Sequence, residues 1–223
     1  MKRTQSILLG IIATLGSLEA SASAAEIQLL KGNAGKTFIS ISGKIEQQDP
    51  INFAKAVTAS KVDTVILDSP GGSVNSALEI GRLIRARGMS TVITRNSYCV
   101  SACGLIWVAG ARRILTPGAR VGFHATYTTR DSMRMESGVG NALIGRYLTL
   151  LDLPERAVVF ATTAGPEKLN WLDSDNKGSS GIDLETIEGG YPNQATVAAS
   201  LKSSVLPESV LDQEQERVAF HKR

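Results

Sequence analysis

The sequence predicts an α/β protein whose largely parallel sheet is covered by helices on both faces. Short apolar runs rich in β-branched residues, such as TVILDS at 64–69, alternate along the chain with longer segments in which apolar residues recur at helical spacing. The 223 residues are 43% hydrophobic and 20% charged, which is the composition of an ordinary globular protein. This length and composition indicate one sizeable domain and exclude disorder throughout the chain.

The elements follow one another in a regular order. FISISGKI has the alternating apolar pattern of a strand, whereas SVNSALEIGRLIRAR has helical spacing, with Ser73 as a candidate N-cap and Gly88 as a stop signal. We therefore predict strands at 38–45, 64–69, 90–96, 112–118 and 119–125, and helices at 49–60, 73–87, 101–111, 141–153 and 155–164.

Residues 1–25 have the features of a secretory signal peptide. Two basic residues precede an apolar stretch at 7–18, and ASA at 22–24 forms an A-x-A site, so cleavage is expected near Ala24 or Ala25. A membrane anchor is the alternative, but polar residues interrupt the stretch, which is shorter than the roughly 20 apolar residues that span a bilayer. We expect a periplasmic or secreted protein with no stable membrane span after cleavage.

The rest of the chain divides into a folded domain, 26–185, and a polar, loosely ordered tail, 186–223, because the alternation of elements fades from about Leu184. The formal net charge is +3 for the full chain and +2 once the signal peptide is removed. No lysine and arginine run follows one predicted face, so we expect no nucleic-acid partner. The Walker spacing and its lysine are also missing from the sequence, and we expect no cofactor.

The candidate catalytic residues lie at the ends of predicted strands. In TVILDSPGGSV the strand runs into Gly71-Gly72, whose bare backbone would let a ligand carbonyl reach a main-chain N–H group. A simple tight turn between strand and helix explains this motif equally well. At the second strand end Ser101 opens a helix, where a serine is either a nucleophile or an N-cap. His124 ends the apolar strand ARVGFHA, as either a general base or a core histidine.

Together, DSPGGSV and SYCVSACGLIWVAGARRILTPGARVGFHA resemble the proteolytic subunit of the Clp protease and its relatives in the crotonase-like superfamily. The resemblance is greatest to exported proteins of that group that carry a C-x-S-A-C signature, and it covers about residues 36–185. It implies a superhelix of repeated β-β-α units with a mainly parallel sheet. It also implies that Ser101 is the nucleophile, that His124 is the general base, and that the N–H groups of Gly72 and Ala102 form the oxyanion hole.

The resemblance departs from the family at the aspartate that should orient the histidine. Counting back from Gly181-Ile182-Asp183 places that position near Leu169-Asn170, where the sequence has no carboxylate. Asp173 is the best nearby candidate for a third catalytic residue, with Asp175 and Glu167 as poorer ones, and solvated loop acids are the alternative interpretation. A Ser-His dyad is therefore one expectation.

Cys99 and Cys103 are the two cysteines of the chain and bracket Ser101. Their separation of four residues suits a disulfide if the turn enters a helix, and an exported protein would meet an oxidising environment. The alternative is that both are small buried residues beneath the helix. Two thiols without a nearby histidine make an incomplete zinc site, and we expect no metal.

The favoured function is an exported, ATP-independent serine peptidase that acts on peptides or unfolded proteins. A non-catalytic module that binds a peptide or a partner in the same cleft is the alternative, and acyl-CoA chemistry does not suit an exported protein. We expect a homo-oligomer, because related proteases place an assembly element after the histidine. Here that segment is 126–147, which we predict to be mobile or packed against another subunit.

Overall fold

The computed structural model describes residues 24–32, 35–188 and 191–192. The predicted signal peptide lies outside this part of the chain except for its last two residues, and so does the predicted tail from residue 193 onward. In the described residues no helix is both long enough and apolar enough to cross a membrane.

Within the described ranges the chain forms eleven strands and five helices. The strands are β1 Glu26–Lys31, β2 Thr37–Ser42, β3 Thr64–Asp68, β4 Ser90–Ile93, β5 Tyr98–Val100, β6 Arg113–Leu115, β7 Arg120–Phe123, β8 Tyr127–Arg130, β9 Met133–Glu136, β10 Asn170–Leu172 and β11 Glu185–Thr186. The helices are α1 Asp49–Ala59, α2 Val74–Ala86, α3 Ala102–Trp107, α4 Gly138–Leu150 and α5 Glu155–Thr162.

A six-stranded sheet has the order β1-β2-β3-β4-β6-β11, and its strands are parallel except for the antiparallel edge pair of β1 and β2. The predicted α/β class with a largely parallel sheet is therefore confirmed. β3 is a continuous apolar run, with residues 64–67 all buried, because it lies between two neighbours inside this sheet.

The predicted strand at 90–96 is shorter than expected, and a separate strand that was not predicted, β5, follows it. β4 ends at Ile93, a turn with Asn96 at φ 59° follows, and β5 then leaves the main sheet. β5 joins β7 and β10 in a second sheet of three strands, in which β5 and β7 are parallel and Val100 pairs with Gly122. Ser101 and His124 consequently leave two neighbouring parallel strands at the same edge.

Two further regions contain structure that the sequence pattern did not indicate. The polar part of segment 126–147 forms a β8–β9 hairpin before α4 begins. Beyond the expected domain end at residue 185, Thr186 pairs with Leu115, and Ile187 and Tyr191 pack against a small apolar cluster of the main sheet. The ordered fold thus extends past the boundary that composition suggested.

Candidate active site

Ser101 lies at the sharp turn between β5 and α3 with φ 58° and ψ −123°, a backbone conformation that is costly for any residue except glycine. Its N–H donates to the carbonyl of Gly122 (2.8 Å), and its own carbonyl accepts from the N–H of Gly104 (2.9 Å). Ser101 occupies the N-cap position of α3, but its hydroxyl makes no capping hydrogen bond. The hydroxyl is therefore held at a strained, partly exposed position and is not used to stabilise the helix.

A disulfide joins Cys99 to Cys103, with 5.2 Å between their Cα atoms. Both side chains are completely buried, and the bond connects β5 to the first turn of α3 across Ser101. The predicted pairing is thus present in the structure. It ties together the two elements that hold the serine in its strained conformation.

Gly71 lies directly against this turn. Its φ is 96°, and a Cβ built on it would lie 2.6 Å from the carbonyl oxygen of Val100 and 2.8 Å from the Cβ of Ser101. The same Cβ would lie 3.0 Å from the amide nitrogen of Ala102. A glycine is required here because neither the backbone angle nor the space admits a side chain.

Gly72 has a different neighbour, Ile45. The N–H of Ile45 donates to the carbonyl of Gly71 (2.8 Å), and the N–H of Ser73 donates to the carbonyl of Ile45 (2.8 Å). A side chain on Gly72 would collide with that same Ile45 carbonyl. The segment around Ile45 therefore also fixes the diglycine turn.

Two main-chain donors remain available beside Ser101. The N–H of Gly71 is occupied, because it donates to the hydroxyl of Ser69 (3.0 Å). Within the part of the chain that the structure describes, the N–H groups of Gly72 and Ala102 donate to no protein acceptor. Both residues line the same cleft as Ser101, which is the arrangement that an oxyanion hole requires.

His124 follows β7 and is oriented by main-chain atoms. Its Nδ1 lies 2.7 Å from the carbonyl oxygen of Ala125. Because a carbonyl can only accept, the proton of the neutral ring must be on Nδ1, and Nε2 carries the lone pair. The ring also stacks on Tyr127, with 5.6 Å between the centroids and an angle of 29° between the planes.

The main chain that carries the Ala125 carbonyl is itself held by hydrogen bonds on both sides of Ala125. The N–H of Ala125 donates to the carbonyl of Ala164 (2.8 Å), and the N–H of Thr126 donates to Oδ1 of Asn141 (2.8 Å). Nδ2 of Asn141 in turn donates to Glu136 (2.7 Å). The donors all point the same way, from His124 towards a carboxylate, so each bond polarises the next. Asn141 could not be identified from the sequence, because a polar residue at the start of a helix carries no signal of a contact 15 residues away.

The cleft has a volume of about 1040 Å³, and Ser101, His124, Gly72 and Ala102 lie in its wall. Its floor is apolar and includes the buried side chains of Leu105, Phe123 and Ile144. Charged residues form the rim: Lys44, Glu46, Arg134, Glu167 and Lys168. Two ion pairs lie within this rim, Lys44 with Glu46 (2.6 Å) and Arg134 with Glu167 (3.2 Å), and the first raises the pKa of Lys44.

The structure does not bring Asp173 to the cleft. Asp173 follows β10 in an exposed loop, where its Oδ1 accepts the N–H groups of Asp175 (3.0 Å) and Asn176 (3.2 Å). The position expected for the family's aspartate does lie beside the histidine, since Asn170 pairs with Phe123 across the sheet. The Asn170 amide, however, donates to the carbonyl of Phe160 (2.8 Å). Glu167 reaches the rim and Asp175 does not.

In the described residues no three histidine, cysteine, aspartate or glutamate side chains are grouped closely enough to hold a metal ion.

No family model matches the sequence, and no curated protein matches it. Solved structures do match. A serine-to-alanine mutant of the 1510-N membrane-bound stomatin-specific protease superposes with a TM-score of 0.54 and 15% identity, over 67% of this chain and 78% of that chain. A lysine-to-alanine mutant of that protease in complex with a substrate peptide superposes with a TM-score of 0.52 and 16% identity, over 67% of this chain and 74% of that chain. ClpP1 from Listeria monocytogenes superposes with a TM-score of 0.49 and 17% identity, over 69% of this chain and 92% of that chain.

The match to the stomatin-specific protease shows the fold. The chain has the fold of the Clp protease subunit and the crotonase-like proteins, as the motifs predicted.

Proposed function

We propose that this protein is an exported serine peptidase of the Clp protease-like fold, which cleaves peptide bonds with Ser101 and His124 and without ATP. One observation carries the proposal: among the described residues, a strained serine whose hydroxyl caps no helix shares a cleft with a histidine whose Nε2 has no protein partner, beside two main-chain N–H groups that donate to no protein acceptor. A serine used only as a helix cap would have neither the strained backbone nor the histidine.

The reaction follows from these groups. Oγ of Ser101 bonds to the carbonyl carbon of the scissile peptide while Nε2 of His124 accepts the hydroxyl proton. The carbonyl oxygen takes the negative charge and is stabilised by the N–H groups of Gly72 and Ala102, at about 3 kcal/mol for each donor. His124 then returns the proton to the leaving amine, and a water molecule hydrolyses the acyl-enzyme by the same two steps.

The carbonyl of Ala125 takes the place of the carboxylate that orients the histidine in a triad. It selects the Nδ1–H tautomer, as an aspartate would, but it carries only a partial negative charge. The imidazolium formed during the reaction is therefore less stabilised than in a triad. Glu136, at the far end of the hydrogen-bond chain through Asn141, supplies a full charge at a distance.

The shape of the cleft supports a peptide substrate. An apolar floor suits side chains that a folded protein would bury, and a rim of both charge signs suits the polar main chain of an extended segment. The stomatin-specific protease of the same fold has been crystallised with a substrate peptide. We infer that short peptides or unfolded proteins are the substrates here.

Export is supported by the A-x-A sequence at 22–24 and by the disulfide between Cys99 and Cys103. Disulfides persist in oxidising compartments, which favours the periplasm or the exterior of the cell. ATP is not available there, and this agrees with a peptidase that needs no nucleotide.

We also infer a homo-oligomer, on the basis of an exposed apolar surface. Met133 and Met135 on β9 are 64% and 50% exposed, and Val139 and Leu143 on α4 are 76% and 43% exposed. Their side chains are spaced by two residues on the strand and by four on the helix, so each pair lies on one face. Light scattering should show an assembly that a Met133→Ser, Leu143→Ser variant loses; a monomeric wild type would contradict this inference.

The function is tested with a fluorophosphonate probe, which forms a covalent bond only with an activated serine. We expect labelling of the wild type, none of Ser101→Ala, and a loss of at least a hundredfold in rate for His124→Ala. Ser132→Ala, which removes an exposed serine of the hairpin, is the matched control and should label normally. A wild type that stays unlabelled across a range of pH, but binds peptide, would instead establish a non-catalytic peptide-binding module.

A further inference from the structure

Asp49 is a completely buried carboxylate at the first position of α1. Its Oδ2 accepts the N–H of Glu46 (2.7 Å) and the N–H of Ala25 (3.2 Å). Its Oδ1 is equally buried but accepts no hydrogen bond from any residue that the structure describes. The N-terminus of α1 favours a negative charge here, yet it leaves one oxygen of the carboxylate without a donor.

Ala25, whose N–H reaches Asp49, is also the residue that signal-peptide cleavage would make the new N-terminus. The A-x-A sequence at 22–24 places the cleavage between Ala24 and Ala25. Ala25 is 7% exposed and its nitrogen already points at the carboxylate. Before cleavage that nitrogen is a neutral amide with one hydrogen. After cleavage it is an ammonium group with three hydrogens and a positive charge.

We propose that removal of the signal peptide at Ala24–Ala25 frees an α-ammonium group that forms a buried ion pair with Asp49, and that this pair matures the active site. The inference rests on the proposed export. A signal peptidase hydrolyses the bond with one water molecule, so Ala24 leaves with a carboxylate and Ala25 keeps the protonated amine. The new ammonium supplies the donor that Oδ1 of Asp49 lacks and the countercharge that a buried carboxylate needs.

The pair is connected to the site through a short path. Glu46, whose N–H is bound by Asp49, follows Ile45 directly, and Ile45 holds both sides of the diglycine turn. Glu46, Gln47 and Gln48 also form part of the cleft wall. Fixing Asp49 therefore fixes the segment that positions the oxyanion donor Gly72. An unprocessed chain would hold this segment with neutral hydrogen bonds alone.

The test compares three forms of the protein: the unprocessed full chain, a form beginning at Ala24 and a form beginning at Ala25. Intact mass of the exported protein should first show that its natural N-terminus is Ala25. The form beginning at Ala25 should melt roughly 5 °C or more above the form beginning at Ala24, which differs by a single alanine. Its Ser101 should also react several-fold faster with the fluorophosphonate probe.

The dependence on Asp49 makes the test specific. In the Asp49→Asn background the two short forms should have equal melting temperatures, whereas the exposed Asp63→Asn control should preserve the difference. If Asp49→Asn does not fold, the wild type still gives an answer: the paired α-amine should react with an acylating reagent many-fold more slowly in the folded protein than in the unfolded one.

A natural N-terminus at any other residue, equal melting temperatures of the two short forms, or a freely reactive α-amine would each overturn the proposal. Failure of the proposed peptidase activity has a different signature. The probe would then label no form of the protein, while the melting temperatures and the reactivity of the amine would still decide whether the ion pair exists.

Discussion

The two halves of the candidate active site are built in different ways. The nucleophile half, residues 97–104, is an internal turn in which Cys99, Ala102 and Cys103 are at most 1% exposed and a disulfide closes the loop. The base half, residues 124–141, runs from His124 through the β8–β9 hairpin to the start of α4, and every residue from 128 to 136 is exposed. One half is held by packing and a covalent bond, and the other by hydrogen bonds near solvent.

This difference follows from what each half must do. Ser101 has to be kept in an unfavourable backbone conformation that costs about 1–3 kcal/mol, and the buried residues and the disulfide on either side of it oppose that strain. His124 has an ordinary position after a strand and needs only its ring orientation, which the Ala125 carbonyl and the Tyr127 ring provide. Changes to the nucleophile half should therefore reduce both stability and activity, whereas changes to the base half should mainly reduce activity.

The largest effect is expected from Gly71→Ala. The added methyl group would lie against the Val100 carbonyl and the Ser101 Cβ, and φ 96° is unfavourable for alanine. We expect a loss of about 3 kcal/mol in the free energy of unfolding and a reaction rate at Ser101 at least a hundredfold lower. Urea denaturation measures the free energy of unfolding, and probe labelling measures the reaction rate at Ser101. Gly178→Ala, in an exposed loop with open space around it, is the control. A Gly71→Ala variant that is inactive but as stable as the wild type would contradict the expected loss of stability.

Removal of the disulfide should have the next largest effect. Closing a loop of about five residues contributes roughly 2 kcal/mol through chain entropy, so the Cys99→Ala, Cys103→Ala variant should remain folded. The turn that carries Ser101 and the N–H of Ala102 loses its covalent constraint, and we expect labelling to slow by roughly tenfold. Thermal melting and labelling kinetics test this. Undiminished labelling would mean that packing alone maintains the turn.

Asn141→Ala tests the base half. It removes the acceptor of the Thr126 N–H and disconnects Glu136 from the Ala125 carbonyl. We expect labelling to slow by roughly tenfold, with a loss in the free energy of unfolding of about 1 kcal/mol. Asn52→Ala, on α1 and outside the cleft wall, should change neither quantity.

The pH dependence separates an electrostatic role of Asn141 from a structural one. The charged and titratable groups that line the cleft with His124 are Tyr127, Arg134, Glu167, Lys168, Lys44 and Glu46. With these unchanged, Asn141→Ala should move the acidic limb of the labelling profile to lower pH, because it weakens the polarisation of the Ala125 carbonyl. Asn141→Asp keeps the acceptor and adds a negative charge, so it should move the limb to higher pH. Equal shifts in both variants would contradict this role.

The smallest effect concerns Asp68, which lies at the end of β3 beside the nucleophile half. Burial raises the pKa of its carboxyl group, while hydrogen bonds from the Tyr98 backbone and the Ser97 side chain act in the opposite direction. A raised pKa means that the ionised form costs stability at neutral pH, and that this cost disappears as the pH falls below the ordinary range of aspartate. Asp68→Asn should raise the melting temperature by a degree or two at pH 7 and by nothing in acid, without changing the labelling rate. A variant that melts lower at pH 7 would contradict this prediction.

The main parallel sheet and its helices were predictable from the sequence because their signals are local. The residue pattern of a buried strand such as TVILDS, or of an amphipathic helix such as α2, predicts its structure from a segment of at most about fifteen residues. Ser73 and Gly88 mark the ends of α2. Ser101 and His124 could be named as candidates, because their motifs occur in a recognisable order, and the structure places both in one cleft. The spacing of the two cysteines around Ser101 indicated their pairing.

Other features depend on contacts between distant residues and could not be predicted in this way. The small sheet arises because the chain turns after β4 and β5 pairs with β7, whose residues lie far from it in the sequence. Asp173 was the best candidate acid from its position in the sequence, yet a loop of its own hydrogen bonds keeps it from the cleft. The group that does orient His124 is the backbone carbonyl of Ala125, which no side-chain pattern can reveal.

By itself, therefore, the sequence determined the fold class and the candidate residues at two strand ends, since apolar periodicity and turn-forming residues act over short distances. The tertiary structure alone decided which groups meet. Hydrogen bonds such as those of Asn141 with Thr126 and of Asp49 with Ala25 join residues 15 and 24 positions apart. Their formation depends on how complete elements pack, because a buried polar group is bound by whichever partner the fold brings within about 3 Å.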